Sequence, residues 1–528
     1  MLNTLPRAKL HGLGSLAPLA NSLTTLAAKV ALMCALAIPT IGLGQEHHRY
    51  KLIDIGTLGG LTSYDDVNGF GVQILNNAGI VTSFADTAIP DPRASTPNLC
   101  YNPDCFLSHA FRWKDGVLTD LGALSGVNSS AAGGINARGW SVGQSQNGLT
   151  LPQTGFPQIR ATLWRDGELI DLGTLGGAGS LAAYVNNAGQ IIGVSANAVA
   201  DPFAFFGDIF GETQTRAFLW DKGIMRDLGT LGGPDAVAAG GCENERSGFV
   251  PGSSFTDFTP NPATGKPTMD PFLWDNGTMT DLGTLGGIFG TAQCANNRGQ
   301  VVGQSSLSEH PGACFTGEPD CHAFVWERGI MKDLGTLGGT FSVPIWLNNQ
   351  GEAVGAATTP NDELFHAVLW KRGVISDLGT LDGDCFSQAI AINSKGQIVG
   401  QSFSCDFSVV RAVLWEKGSI FDLNTLVPEN SSLQLIEAFN INDRGEILGR
   451  GAPPGVESLD FGGHTFLLVP CGTGDADCNG ITHRGTLTNK GDLAASSLSS
   501  QKGREIVAAW HARWAQRYHN PRREASRD

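Results

Sequence analysis

The chain has 528 residues, with 50 acidic side chains against 35 basic ones and a formal charge of −15. That balance excludes non-specific nucleic-acid binding, which needs a cationic face to displace counterions. Glycine is abundant at 70 residues and only 16% of residues are charged, which favours turn-rich β structure over helix bundles.

The first element in chain order is an export segment over residues 1–44. Arg7, Lys9 and Lys29 precede an apolar stretch from Val30 to Gly44, which ends in small residues before Gln45. This is the pattern of a secretory signal with a long basic region. Pro39 interrupts the stretch, which is too short for a membrane span. Cys34 follows Ala31-Leu32-Met33 and lacks the small preceding residue of a lipoprotein acylation site. The mature protein is therefore expected to be secreted, extracellular or periplasmic.

Residues 45–470 then write one pattern eight times, the signature of a solenoid or propeller. An aspartate element, Asp-Leu-Gly in most copies, recurs at Asp54, Asp120, Asp171, Asp227, Asp281, Asp333, Asp377 and Asp422. An asparagine turn recurs at Asn76, Asn136, Asn186, Asn244, Asn296, Asn348, Asn393 and Asn442. An aromatic strand ends at Trp113, Trp164, Trp220, Trp274, Trp326, Trp370 and Trp415, with Leu468 in the last copy.

Each copy holds four strand-length pieces: a before the asparagine turn, b after it, c ending in tryptophan and d reaching the aspartate. Asp115-Gly116, Asp166-Gly167 and Asn276-Gly277 read as tight hairpins, since Gly and Asn tolerate positive φ. Asn-x-x-Gly suits a longer hairpin with a glycine bulge. The predicted fold is all-β, a β-propeller of eight four-stranded blades. Tyr50 to Asp54 is a strand d with no blade of its own, and His464 to Leu468 is a strand c with no d after it. The N-terminal strand is expected to complete the last blade and leave no exposed edge.

Alternating strand direction puts the b-to-c and d-to-a connections on one face and the tight turns on the other. The first is the loop-bearing face, with insertions at 85–108 and 196–215. Without Cys34, ten cysteines remain, an even number suited to an oxidising compartment. Cys100 with Cys105, Cys314 with Cys321, and Cys471 with Cys478 are close in sequence. Cys385 and Cys405 fall in loops on the same side of one blade. These are read as disulfides, because none has the Cys-x-x-Cys spacing of a zinc site. Cys242 and Cys294 occupy matching positions two residues before the turn asparagine, and fit either a cross-strand bridge or free buried thiols.

His109-Ala110-Phe111 and His322-Ala323-Phe324, with the surrounding Asp-Leu-Gly-Thr-Leu-Gly-Gly elements, resemble the bacterial extracellular HAF-repeat family over about residues 50–468. The resemblance implies an exported repeat protein and carries over no catalytic residues. Arg216-Ala217-Phe218, Pro271-Phe272-Leu273 and Arg411-Ala412-Val413 depart from the triplet, which argues against an obligatory chemical role for its histidine.

The eight aspartates recur too evenly for a chemical site and are read as satisfying loop amides. Strand c opens with His109, Arg160, Arg216, Asp270, His322, His366, Arg411 and His464, too mixed in charge for one repeated metal site. Hydrogen bonding to neighbouring loops is expected of them, and packing between blades of the repeated tryptophans. Trp140 and Trp346 lie off the pattern and are read as packed. Gly-Thr-Leu-Gly-Gly lacks the lysine and helix of a phosphate loop.

The symmetry-breaking insertion at Asp201 to Phe210 carries Phe203, Phe205, Phe206 and Phe210. It reads as a lid over the blade tops or as a contact site, and these four are the candidate binding residues. Asp475 to Gly480 imitates half a calcium loop, but Thr486 stands where a bidentate carboxylate belongs.

Residues 471–528 read as a linker and a basic tail. A helix is expected from Arg504 to Tyr518, with Val507, Trp510, Trp514 and Tyr518 along one side. The tail would dock on the propeller or stay disordered, with membrane contact the lesser choice.

The functional expectation is an exported, non-enzymatic scaffold that binds an unknown protein or glycan on the loop-bearing face. No catalytic residue, metal or cofactor is assigned. The alternative is an extracellular glycan hydrolase or lyase with its site in the central funnel.

Overall fold

The computed structural model describes residues 49–64, 73–102, 104–240, 242, 248–262, 264–308, 314, 320–456, 462–472, 478 and 500–517. In the last segment, side chains are described as far as Trp510. The export segment, Asn244, the calcium-like stretch 475–477 with Asn479, Gly480 and Thr486, and Tyr518 lie outside these residues.

Eight four-stranded antiparallel sheets form a ring, a β-propeller. Strands a to d run outward from the centre, as in blade 5: Gly290–Ala295, Val301–Ser306, Cys321–Glu327 and Ile330–Asp333. Blades 1 to 7 span 59–122, 130–171, 176–227, 236–281, 290–333, 342–377 and 384–422. Blade 8 takes Gln434–Ile441, Ile447–Ala452 and His464–Pro470 from the end of the pattern and Tyr50–Asp54 from its beginning. That last strand pairs antiparallel with His464–Pro470, Tyr50 opposite Pro470 and Asp54 opposite Phe466.

The c-to-d turns follow the dipeptides. Asp115-Gly116, Asp166-Gly167, Lys222-Gly223, Asn276-Gly277, Arg328-Gly329, Arg372-Gly373 and Lys417-Gly418 all hold positive φ at both residues. The tryptophans fill the wedges between blades. Trp113, Trp164, Trp220, Trp370 and Trp415 are buried. Trp370 of blade 6 donates through Nε1 to the Leu334 carbonyl of blade 5 at 3.0 Å.

Six inner strands carry a bulge at the same place, for example between Ala292 and Cys294 and between Ala389 and Ala391. The bulge swings a strand-a carbonyl over strand b. Strand b answers with glycine: a Cβ at Gly143, Gly193, Gly303, Gly355, Gly400 or Gly449 would collide with that oxygen. In blade 1 Ser83 stands there and its hydroxyl donates to the Tyr64 carbonyl instead. Gly303→Ala should therefore lower stability by about 1–3 kcal/mol or more. Urea unfolding with an unchanged slope would measure it; no change in midpoint would contradict the collision.

The asparagine turns form a belt around the ring. In the described turns each Oδ1 accepts two amides of its own turn, as Asn393 does from Lys395 and Gln397 at 3.0 Å. Five Nδ2 groups reach the main-chain carbonyl of the next blade's asparagine: Asn76 to Asn136, Asn136 to Asn186, Asn296 to Asn348, Asn348 to Asn393 and Asn393 to Asn442, at 2.9–3.3 Å. Asn442 then donates to Asn76 at 3.0 Å, so the belt crosses the chain closure. The sequence suggests only the turn; the signal for the belt is asparagine in every copy where aspartate or glycine would also turn.

All four expected cysteine pairs are disulfides, and Cys242–Cys294 makes a fifth. The open choice at Cys242 is thereby resolved as a bridge between blades 4 and 5. Its sulfur also accepts the Leu347 amide of blade 6 at 3.3 Å. Among the described residues, no helix is long and apolar enough to cross a membrane.

Candidate functional site: the loop-bearing face

The repeated polar residues of this face are occupied in holding blades together. Each strand-d aspartate accepts, through Oδ1, the amide two residues on, as Asp120 does from Gly122 and Asp333 from Gly335, both at 2.7 Å. The threonine of Gly-Thr-Leu-Gly-Gly donates to a carbonyl within the loop, as Thr174 does to Gly177 at 3.0 Å. The following leucine amide donates to a strand-b serine of the next blade, as Leu175 does to Ser195 at 2.9 Å. Ser130, Ser180, Ser342, Ser387 and Ser63, in strand a, accept a strand-c amide of the preceding blade.

Most of the residues that open strand c meet the strand-d aspartate of their own blade, and His464 also bonds the Leu61 backbone of the neighbouring blade, as hydrogen bonding to neighbouring loops would have it. His109, His322 and His366 lie 2.9 Å through Nδ1 from Asp120, Asp333 and Asp377, and His464 lies 3.1 Å from Asp54. Burial would raise the Asp120 and Asp333 carboxyls, but the histidine bond and glycine amide outweigh it and hold both below the ordinary value. The Asp54 bond raises His464. Arg216 approaches Asp227 at 3.9 Å, whereas Arg411 turns to Asp384 at 2.6 Å. In blade 4 both members are acidic, and burial plus Asp281 push Asp270 up to about 6. Four histidine–aspartate pairs in equivalent places brace strands c and d.

Symmetry breaks in blades 1 to 3. Their strands b, Val81–Pro90, Ser141–Thr150 and Ile191–Ala200, run ten residues, against six or seven in blades 4 to 8. Each ladder is interrupted near the tip, between Asp86 and Pro90, Gln146 and Thr150, and Ala196 and Ala200. There Thr87, Asn147 and Asn197 accept, through their side chains, the amides of Ile89, Leu149 and Val199 at 2.8–3.2 Å. This device turns the three aliphatic side chains outward, 52%, 57% and 53% exposed. A proline three residues later, Pro92, Pro152 or Pro202, is the sequence signal for the row. Leu61, Val127 and Phe258 are exposed on the same face.

Two buried acid pairs anchor the insertions. Asp235 accepts the amides of Thr215 and Phe205, both at 2.7 Å, and hydrogen-bonds the buried Asp201. Burial and then the Asp201 charge push Asp235 up to about 7. Asp86, fully buried, accepts Ser108 Oγ at 2.7 Å and the Tyr64 hydroxyl at 3.4 Å, and pairs with Asp104. Burial and that hydrogen bond push it up to about 8.

The Asp235 anchor seats the phenylalanine insertion. Phe205 and Phe210 are buried, Phe205 against Phe206 and Phe255, and Phe210 among Ile159, Val194 and Ala196. Phe203 and Phe206 are half-buried. Trp346 is packed, while Trp140 is half-buried under Arg138 and Arg165, 5.2 and 5.3 Å from the ring centre. Among the described residues no three of His, Cys, Asp or Glu converge as metal ligands would.

The C-terminal helix runs Ser500–Arg517, four residues earlier than the sequence pattern places it. Gly503, which the sequence pattern leaves just outside the helix, is buried within it, so packing offsets the poor helix propensity of glycine. Val507 and Trp510 are buried on the propeller.

No family model matches the chain, and no curated protein does. Similar solved structures include the Pyrococcus horikoshii acylaminoacyl peptidase, at 11% identity, 72% of this chain, 57% of that chain and TM-score 0.37. The β-propeller domain of the Trilobed protease from Pyrococcus furiosus is similar at 9% identity, 66% of this chain, 97% of that one and TM-score 0.36. TolB from Acinetobacter baumannii is similar at 13% identity, 56% of this chain, 60% of that one and TM-score 0.27. The chain thus spans little more than half of the peptidase and of TolB.

Proposed function

We propose that this is an exported, non-enzymatic binding scaffold of the HAF-repeat kind, which recognises a protein or glycan on the loop-bearing face of blades 1 to 3. The carrying observation is the row Ile89, Leu149 and Val199, presented by the same side-chain-capped bulge in three consecutive blades. Exposed apolar side chains grouped on one face mark an interaction site, where scattered single ones do not. Phe203 and Phe206 can extend the row at blade 3. Five disulfides support export, since such bonds persist in oxidising compartments.

The hydrolase reading gains less support. Two-carboxylate glycosidases hold their acids about 5 Å or more apart around the substrate. Here Asp86 and Asp104, like Asp201 and Asp235, are hydrogen-bonded to each other and to the fold.

The test sets the purified protein on a glycan and cell-wall array beside a hydrolase panel. Replacing Ile89, Leu149 and Val199 together with Ser should weaken the captured ligand roughly a hundredfold, at about 1 kcal/mol for each half-covered side chain. Thermal stability should hold, because the three are exposed. Turnover abolished by one loop-face carboxylate substitution would overturn the reading.

A further inference from the structure

The C-terminal helix is seated on the loop-bearing face of blades 6 and 7, where Val507 and Trp510 join one apolar cluster that reaches Phe205 of the blade 3 insertion. Trp510 stacks on Phe365, ring centres 4.1 Å apart and planes at 9°, and meets Phe341 edge-on at 5.4 Å. Its indole Nε1 donates to Gln388 Oε1 at 3.4 Å. Val507 is buried one turn earlier, and Arg504 pairs with Glu363 at 3.7 Å. The anchoring contacts of Arg504, Val507 and Trp510 lie on one stripe of the helix, with spacing Arg-x-x-Val-x-x-Trp, and Ile506 packs against the same apolar cluster beside it. The rest of that surface, at Gln501, Lys502, Glu505, Ala508 and Ala509, is exposed.

Two features separate this contact from the propeller's own architecture. The ring closes through Tyr50–Asp54 and the asparagine belt, with no part taken by the helix. Residues 471–499 lie between the last propeller strand and the helix, so the helix is held as a tethered ligand. A helix joined covalently to its site meets it at an effective concentration that reaches about the millimolar range. A site with affinity of only about 10–100 μM would then be almost wholly filled in cis.

We propose that the aromatic cradle of Phe341, Phe365 and Gln388, with Glu363 at its rim, is a docking site for an amphipathic helix of a partner protein carrying Arg-x-x-aliphatic-x-x-aromatic. The chain's own C-terminal helix is its resident competitor. The cradle supplies a stacking surface, one acceptor for a ring N–H and one rim carboxylate for the basic residue. Its chemistry is that of helix-in-groove recognition, in which one aromatic anchor carries most of the affinity.

The experiment uses the full chain and a fluorescent peptide of residues 500–517. The peptide should bind a Trp510→Ala chain saturably, and the unaltered chain at least tenfold more weakly, because the tethered helix holds the site. A peptide carrying Trp510→Ala should bind neither. Hydrogen exchange should show the helix amides of the Trp510→Ala chain exposed and the blade strands unchanged, which separates release from unfolding. Glu363→Arg, at the half-buried rim, should weaken the peptide a few-fold in that background, and a peptide with Arg504→Glu should recover it. Equal binding to both chains, or no binding to the Trp510→Ala chain, overturns the proposal. Either result leaves the reading of blades 1 to 3 untouched.

Discussion

Deleting Arg49 to Asp54 should unfold the ring at one seam and lower the thermal midpoint by about 10 °C or more. Five residues pair in that strand, and Tyr50 is fully buried with its amide on the Leu426 carbonyl at 2.9 Å. Its loss removes the burial of a large aromatic, the ladder bonds to His464–Pro470 and the His464–Asp54 brace. Burial of the ring alone is worth about 2–3 kcal/mol. Against a total stability on the order of 5–15 kcal/mol, the sum is a large share.

The second consequence is a newly exposed edge. His464–Pro470 would present unpaired backbone along a flat strand, which invites pairing with another molecule. Size-exclusion chromatography should show concentration-dependent oligomers of the deleted chain, and a peptide of residues 48–56 added during refolding should suppress them. A deleted chain that stays monomeric with its midpoint unmoved would show that the seam carries no stability.

Blade number, strand order and closure could be read from the sequence because each rests on a local signal repeated eight times. Hairpin glycines, alternating apolar residues and a stray strand at each end need no knowledge of neighbours. The glycine of strand b has no such local signal. Its reason is a bulge on the adjacent strand, visible once Thr291 is seen lying over Gly303. The asparagine belt was hidden for a related cause: a turn suffices to explain each asparagine, and the bond to the next blade spans 45 to 60 residues along most of the ring.

The candidate site was harder still. Four phenylalanines in one loop look like a contact patch, but Asp235, 30 residues away, fastens the Phe205 amide and draws Phe205 inward. The aliphatic row went unseen because its members sit among dissimilar neighbours, Thr87-Ala88, Asn147-Gly148 and Asn197-Ala198. The shared element is a side-chain acceptor two residues before, which Thr and Asn supply with different atoms.

Those buried acids give the protein an unusual dependence on pH. Asp235 and Asp86 titrate near 7 and 8 in the fold, against about 4 in an unfolded chain. Between those limits the folded state binds more protons than the unfolded one, so stability must fall as pH rises. His464, raised by Asp54, adds to the same trend as pH climbs through its folded value. Asp120 and Asp333 act oppositely: their lowered values lose stability only as pH drops below the ordinary carboxylate range. The unfolding free energy measured in urea should therefore peak near pH 5 and decline toward pH 8, by up to a few kcal/mol for each acid pair.

Asp201→Asn isolates the cause. The amide can donate to Asp235 at any pH and still accept the Phe203 amide that Asp201 holds at 3.0 Å. The hydrogen bond between the two side chains then needs no shared proton. The variant should match the natural chain at pH 5, exceed it at pH 8 and flatten that part of the profile. Asp104→Asn should do the same for Asp86, and the two should add, because the pairs lie in different blades. A double variant that declines toward pH 8 as steeply as the natural chain would place the sensitivity elsewhere.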